Sequence, residues 1–236
     1  MTDFTSGLSP QKTARIAGLL YLANILTGIF ALMYVPGKLI VWSDAAKTFK
    51  NITESEALFR MGILVYLVCY IFFLLLPLAL YKLLKPVNKT QAILMVILAL
   101  VQVPMAFVNI LNYFAVLTLI GKAEYLQVFD LPHLQAQVML NLHFYSQGNQ
   151  VATIFWGLWL LPFGYLVYKS GFLPKILGIF LILGGLSYLI DFTCDFLFSG
   201  YGKMTIASFV TIPASIGEIG TCLWLIIMGV KKQKAA

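Results

Sequence analysis

The sequence has few charged residues for its length. Of 236 residues, 16 are Lys or Arg and 9 are Asp or Glu, which together make up 11% of the chain. In a soluble domain about a quarter of the residues are charged, and so few charges cannot cover a folded chain of this size in water. Because 61% of the residues are hydrophobic, the composition excludes a soluble domain and a disordered chain. It predicts a protein whose helices lie in a lipid bilayer.

Cysteine and histidine are scarce as well. The three cysteines, Cys69, Cys194 and Cys222, all lie in apolar stretches, and an odd set of this kind excludes a disulfide framework. The two histidines, His133 and His143, are too far apart along the chain to match the spacing of a zinc site. No Ser/His/Asp order, phosphate-binding loop or HExxH motif is present. We therefore expect no metal and no cofactor, and an enzymatic activity is the less favoured interpretation.

Six apolar stretches are each long enough to cross a bilayer as a helix, which takes about 20 residues. The predicted helices cover residues 14–35, 59–83, 91–120, 147–169, 174–198 and 206–230. The fold prediction is therefore an all-α bundle of six transmembrane helices in a single domain, residues 1–236. Residues 131–145 carry apolar side chains at helical spacing, so they either lie along the membrane interface or extend the fourth helix. The stretch from Asp44 to Leu58 is also predicted to be helical, with Ser43 or Asp44 as its cap.

Basic residues predict the orientation of these helices. If both termini lie on one side, that side has a large excess of Lys and Arg, and most of the acidic residues fall on the other side. Loops rich in Lys and Arg stay in the cytoplasm, so both termini are predicted to be cytoplasmic. This asymmetry explains the net charge of +7 without a nucleic-acid partner, and we expect none. The basic residues of the predicted cytoplasmic side are Lys12, Arg15, Lys82, Lys85, Lys89, Lys169, Lys175, Lys231, Lys232 and Lys234.

Polar residues within the apolar stretches are the candidates for a functional site, because each is costly in lipid. Counting about 1.5 Å per residue along each helix places Asn24, Gln102 and Glu218 near the bilayer centre, and Asn109 nearer the outer surface. Small residues surround Glu218 in the sequence and let another helix approach closely. We therefore predict a ligand, proton or cation site at Glu218, with Asn24, Gln102 and Asn109 in an outward-facing polar cavity. The alternative is a protonated Glu218 that only holds helices together.

A second group of charges is predicted near the outer ends of the helices. Asp191 and Asp195 are four residues apart and so share one face of the fifth helix, and Arg60 is expected at a similar depth. The favoured interpretation is a salt-bridge clamp from Arg60 to these aspartates, at the outer mouth of the cavity. A cation site, or a pair of carboxylates acting as acid and base, are the alternatives.

Aromatic residues are frequent, at 14% of the chain. In membrane proteins Trp and Tyr collect at the two interfaces with water. Tyr81, Tyr168, Trp156, Trp159 and Trp224 are therefore expected to face lipid or to form interfacial belts.

Several runs of sequence resemble a bacterial membrane family known as domain of unknown function 4386. The most distinctive are Trp156-Gly157-Leu158-Trp159 and Phe172-Leu173-Pro174-Lys175-Ile176-Leu177-Gly178, and the likeness also includes runs at residues 12–18, 55–60, 217–218 and 223–225. The resemblance covers nearly the whole chain. It implies a multi-pass protein of the bacterial cytoplasmic membrane, with Arg15, Glu56, Arg60 and Glu218 inside the family-like runs. It implies no activity.

Three functions are compatible with this sequence. The favoured one is binding or transport of a small solute, a lipophilic cation or a lipid through the cavity that ends at Glu218. The first alternative is a non-catalytic membrane partner or regulatory subunit, and the second is an intramembrane enzyme acting on lipid-like substrates. The expected partners are the lipid bilayer and a small molecule, cation or lipid. The substrate and the oligomeric state are not predicted.

Overall fold

The computed structural model of the chain describes residues 9–121 and 123–230. That part of the chain contains no β-strand, and it has six helices that are long and apolar enough to cross a membrane. The predicted all-α fold with six spanning helices is therefore confirmed. Asp3, Lys122, Lys231, Lys232 and Lys234, which entered the charge count, lie outside the described residues.

Seven helices are numbered in chain order, and all except the short α2 are candidate spans. They are α1 (Pro10–Leu39), α2 (Ala45–Glu54), α3 (Glu56–Leu84), α4 (Lys89–Ile120), α5 (Leu131–Lys169), α6 (Lys175–Leu197) and α7 (Ala207–Ile227). Single turns of 3-10 helix at Glu124–Leu126 and Tyr201–Lys203 lie in two of the connections. Within α1 the residues Ile29–Tyr34 form a π-helical turn. This turn lies just before Pro36, which cannot donate to the preceding turn.

Helix α5 resolves the two interpretations of residues 131–145. It is continuous from Leu131 to Lys169, so these residues extend the fourth spanning helix. Asp130 caps its start, because a carboxylate oxygen accepts a hydrogen bond from the His133 backbone amide at 3.0 Å. That bond and, next, the bond to the His133 ring lower the pKa of the Asp130 carboxyl.

Helix α2 is held by polar side chains on both sides of its start. Of the two predicted caps, Asp44 is the one used, since its carboxylate accepts the Lys47 amide at 2.9 Å. The Thr48 hydroxyl donates to the Val41 carbonyl at 3.0 Å and accepts from the Val41 amide at 2.8 Å. The Asn51 side chain donates to the Leu39 carbonyl at 3.2 Å. These bonds fix α2 to the end of α1.

The chain divides into two compact units. The first comprises Met1–Ala23, Phe72–Gln102 and Val151–Ala236, and the second comprises Asn24–Ile71 and Val103–Gln150. Helices α6 and α7 lie wholly in the first unit, and α2 lies wholly in the second. Each unit is described on its own below.

Two pairs of glycines bring α5 and α6 together in the first unit. A Cβ atom placed on Gly157 would lie 2.6 Å from the Gly185 carbonyl oxygen, and one on Gly185 would lie 2.7 Å from that of Gly157. Gly164 and Gly178 form a second reciprocal pair, at 2.8 and 2.7 Å. Cβ atoms in real structures essentially never come within 3.0 Å of another heavy atom. Only glycine therefore permits this approach of the two backbones.

Close contacts of the same kind hold α7 against α6 and α1. A Cβ atom on Gly217 would lie 2.8 Å from the Leu181 amide nitrogen, and one on Gly184 would overlap the backbone of Ala214. On the other side of α7, a Cβ atom on Gly18 of α1 would lie 2.8 Å from the Ile226 amide nitrogen. Helices α1, α7, α6 and α5 therefore form a chain of neighbours with small residues at each contact.

Replacing Gly185 by alanine should lower the stability of the protein. The new methyl group would press on the Gly157 backbone, which cannot move aside as a flexible side chain does, and overpacking of this kind costs about 1–3 kcal/mol. The measurement is unfolding in lipid–detergent micelles by titration with a denaturing detergent.

Gly37→Ala is the matched control, because no atom lies within 4 Å of a Cβ atom at this position. Alanine favours a helix over glycine by up to ~1 kcal/mol, so this variant should be as stable as the wild type or more so. Equal stability of the two variants would contradict the glycine-dependent packing of α5 on α6.

Candidate functional site

The carboxylate of Glu218 is bound by a tyrosine from another helix. The Tyr21 hydroxyl on α1 donates a hydrogen bond to Glu218 Oε2 at 3.0 Å. The Tyr188 side chain of α6 also lies near this carboxylate. Three helices therefore meet at Glu218, each through one side chain. The neighbouring residue, Gly217, fixes the position of the carboxylate because its backbone abuts Leu181 of α6.

Aromatic rings pack around the tyrosine that binds this carboxylate. Tyr21 is almost wholly buried, with 1% of its surface exposed. Its ring centroid lies 6.4 Å from that of Trp159 and 6.5 Å from that of Phe163, and these two α5 rings stack on each other at 5.3 Å. Phe73 of α3 meets Trp159 edge to face at 5.4 Å. The hydroxyl that binds Glu218 is thus fixed by a packed aromatic core.

The α6 side of the carboxylate is aromatic as well. The ring of Tyr188 meets that of Trp156 edge to face, with centroids 6.0 Å apart. Aromatic pairs of this geometry are favourable because the positive edge of one ring meets the negative face of the other. The two tyrosines of the site are therefore both oriented by tryptophans of α5.

No cation among the described residues forms an ion pair with Glu218. The salt bridges found there are Lys50–Glu54 at 3.8 Å, Arg60–Glu56 at 2.7 Å and His133–Asp130 at 2.7 Å, all on exposed side chains. A charged side chain at the centre of a bilayer costs about 2.5–3.5 kcal/mol. Hydroxyl donors stabilise the ionised carboxylate and so offset part of this cost. Glu218 itself is partly buried within the protein.

The predicted neighbours of Glu218 are bonded to other groups. Gln102 is fully buried, and its side-chain amide donates to the Phe155 carbonyl at 3.0 Å. Its Oε1 atom has no hydrogen-bond partner among the described residues. In the second unit, Asn24 Oδ1 accepts from the Cys69 thiol at 3.3 Å. The hydrogen-bond donor to Glu218 is therefore Tyr21, whereas the sequence had suggested the two amides.

Asn109 belongs to a hydrogen-bonded network in the second unit. Its Nδ2 atom donates to the Tyr145 carbonyl at 2.9 Å and to Asn149 Oδ1 at 3.1 Å. The Tyr66 hydroxyl of α3 donates to the same Asn149 oxygen at 3.1 Å, and Asn112 donates to the Asn109 carbonyl at 2.9 Å. The network thus joins α3, α4 and α5.

Arg60 and Asp191, which were predicted near the outer ends of the helices, each bond to a residue other than the predicted partner. Arg60 Nε and Nη2 both contact Glu56 Oε1 at 2.7 Å, four residues earlier on the same helix. Asp191 accepts a hydrogen bond from the Tyr201 hydroxyl at 2.9 Å, while Asp195 lies one turn further along α6. Burial and the bond to Asp191 raise the pKa of Tyr201 to about 12. A clamp from Arg60 to Asp191 or Asp195 stays a prediction.

Sequence reasoning missed the tyrosines because it treated aromatic residues as lipid-facing. That assignment is wrong for Trp159, which has 2% of its surface exposed and lies in the core with Tyr21 and Phe163. One signal was available: Tyr21 precedes Asn24 by three residues and so lies within one helical turn of the predicted depth. Tyr188 likewise precedes Asp191 by three residues.

The cysteines and histidines do not assemble into a metal site. Among the described residues, no three His, Cys, Asp or Glu side chains lie close enough together to hold a metal ion. Cys69, Cys194 and Cys222 are all free thiols. His143 packs its ring against Trp42, with centroids 4.9 Å apart.

The fold and this site define a multi-pass α-helical membrane protein with a carboxylate bound by a tyrosine from a neighbouring helix. Residues 16–229 match the model of a family described as a domain of unknown function, DUF4386, and the chain belongs to this family. An uncharacterized protein of Archaeoglobus fulgidus is 33% identical over 153 residues, which cover 65% of this chain and 74% of that protein. No solved structure matches the chain.

Replacing Asn109 by leucine should destabilise the second unit. Leucine keeps the approximate shape but removes the donor to Tyr145 and Asn149. Interhelical hydrogen bonds in membranes contribute about 0.6 kcal/mol on average and up to ~1.7 kcal/mol, so a loss of about 1–2 kcal/mol is expected in the same detergent titration.

Asn141→Leu is the control for this substitution. The Asn141 side chain donates only within its own helix, to the Gln137 carbonyl at 2.8 Å, and its replacement should change stability by less than about 0.5 kcal/mol. If the Asn109 variant were as stable as the Asn141 variant, the network would contribute nothing to the packing of the helices.

Proposed function

We propose that this protein binds a small lipophilic cation inside the membrane and carries it across, with Glu218 as the cation or proton site. The observation that supports this most is the hydrogen bond from Tyr21 to the Glu218 carboxylate, at 3.0 Å, by a tyrosine whose ring packs against Trp159. An ionised carboxylate without a basic partner attracts a cation, and aromatic faces attract the same ligand through their quadrupoles. Anions and neutral sugars gain neither interaction.

A proton and an organic cation would compete for this carboxylate. Protonation removes the negative charge that attracts the cation, so uptake of a proton favours release of the ligand. Such an exchange gives the protein a driving force for transport, because the two sides of the membrane differ in proton activity. In this mechanism Gln102 would help to shape the path to Glu218 within the first unit, and Asp191 and Asp195 would lie toward its outer end.

A purely structural role is the alternative that one observation favours. The bond from Tyr21 to Glu218 ties α1 to α7, beside the close contact at Gly18. A non-catalytic membrane partner or regulatory subunit would need no more than this. The two functions differ in what the loss of the Glu218 charge does to ligand binding.

Glu218→Gln should abolish cation binding while leaving the protein folded. Glutamine has the same shape and still accepts from Tyr21, but it has no charge. With tetraphenylphosphonium as the probe, calorimetric titration of the purified protein in lipid nanodiscs should show affinity reduced at least about tenfold, or ~1.4 kcal/mol.

The matched control is Glu54→Gln, which removes an exposed carboxylate that pairs only with Lys50 within the described residues. Its affinity for the probe should equal that of the wild type. If Glu218→Gln bound the probe as the wild type does, the cation site would have to lie elsewhere. If it only lowered the unfolding midpoint, the structural role would be the correct one.

The orientation that belongs to this proposal places both termini in the cytoplasm. In a variant that lacks the three native cysteines, Lys47→Cys at the start of α2 should react with a membrane-impermeant maleimide in intact cells. Lys85→Cys, which follows α3 directly, should react only after the cells are permeabilised. The reverse pattern of labelling would contradict the orientation.

A further inference from the structure

A cavity lies in the first unit, where the ends of several helices meet. It has a volume of about 840 Å³ and is formed by residues before α1, after α3, at the end of α5 and after α7. Its polar lining includes Ser9, Gln11 and Lys169, and its apolar lining includes Leu83, Val87 and Phe172. Small-molecule sites have volumes of about 300–1,000 Å³, so the cavity is large enough for a ligand of that size.

Most hydrogen-bonding groups of this cavity are already occupied. The Gln11 side chain donates to the Met228 carbonyl at 3.0 Å and accepts from the Val230 amide at 2.9 Å, so it closes the end of α7. The Ser170 hydroxyl donates to the Val167 carbonyl at 2.8 Å and accepts from the Leu173 amide at 3.1 Å. The ammonium group of Lys169, by contrast, forms no ion pair within the described residues, and its nearest recorded partner is the Tyr168 ring at 6.0 Å. The positively charged ammonium group of Lys169 therefore still has hydrogen-bond donors available for a ligand.

The segments around the cavity are basic throughout. Residues 9–20, 82–92 and 165–178 contain seven Lys or Arg and no Asp or Glu. These basic residues are Lys12, Arg15, Lys82, Lys85, Lys89, Lys169 and Lys175. The electrostatic potential in the cavity is therefore positive, and a ligand that enters it must be neutral or anionic.

We propose that this cavity binds an anionic phospholipid, with the phosphate on the Lys169 ammonium and an acyl chain along Leu83, Val87 and Phe172. The ends of spanning helices lie at the level of the lipid headgroups, which is where a phosphate and a chain are found together. Basic pockets between transmembrane helices bind acidic headgroups in this way. A free phosphate would leave the apolar part of the lining unused.

The lipid would connect segments that are far apart in the sequence. A lipid with its phosphate at Lys169 and its acyl chain against the turn after α3 would bridge α5, α3 and the start of α1. A ligand that binds only the folded state raises stability in proportion to its concentration and affinity. The proposal is independent of Glu218, which does not line this cavity.

The test compares phosphatidylglycerol with phosphatidylcholine as additives to the delipidated protein in detergent. Native mass spectrometry counts retained lipids, and thermal unfolding measures stabilisation. The wild type should retain phosphatidylglycerol and unfold at a higher temperature with it than with phosphatidylcholine. Equal retention and equal stabilisation by the two lipids would overturn the proposal.

Variants at two lysines locate the site. Lys169→Gln should weaken phosphatidylglycerol binding at least about tenfold, because it removes a charge-assisted hydrogen bond to phosphate. Lys85→Gln, on the same basic surface but outside the lining, should weaken it no more than about fivefold. Equal losses in the two variants would mean that lipid binds the surface in general, and this result would overturn the pocket assignment.

Two further measurements complete the test. Lys169→Arg keeps the charge and should keep most of the affinity, even if Lys169→Gln does not fold. A loss of binding in the arginine variant as complete as that in the glutamine variant would contradict the role given to the charge. Inorganic phosphate at millimolar concentration should neither displace the lipid nor reproduce its stabilisation. If phosphate did either, the ligand of this cavity would be a soluble phosphate and the lipid assignment would be wrong.

Discussion

The close approach of α5, α6 and α7 at glycine residues is the constraint on which the rest of the first unit depends. Lipid chains are as apolar as leucine, so helices in a bilayer are held together by van der Waals contact and hydrogen bonds. Gly157 and Gly185 let two backbones touch, and Gly217 does the same for the helix that carries Glu218. Because Gly217 is adjacent to Glu218, the same contact that packs α7 on α6 also directs the carboxylate toward Tyr188. The site is thus a consequence of helix packing.

Much of the fold could be predicted from composition and hydrophobic length. The six apolar stretches form six helices, because a single segment that crosses lipid can make all of its backbone hydrogen bonds internally only as a helix. The continuous path of α5 from Leu131 could not be decided, because an apolar stripe fits both an interfacial helix and an extended span. The capping bond from His133 to Asp130 accounts for the start of the observed helix.

The candidate site was only partly predictable. Glu218 stood out because a carboxylate is expensive in lipid. Its partners did not stand out. The depth of a residue in the bilayer can be counted along its helix, but the rotation of that helix about its axis and the identity of the neighbouring helix cannot be read from the sequence. Asn24 and Gln102 had a suitable depth, but Tyr21 of α1 is the residue whose hydroxyl reaches the carboxylate. Tyrosine was also the less obvious choice, since in membrane proteins it is as typical of an interfacial belt as of a buried donor.

The proposed function requires that Glu218 is an ionised carboxylate, bound by the Tyr21 hydroxyl, that receives a cation. Infrared difference spectroscopy of the protein labelled with carbon-13 glutamate tests it most directly, since a carboxylate and a carboxylic acid absorb at different frequencies. Addition of a lipophilic cation should perturb a carboxylate band together with a tyrosine band, and both changes should be missing from Glu218→Gln. A difference spectrum with no carboxylate change, recorded under conditions where the cation is bound, would contradict the claim.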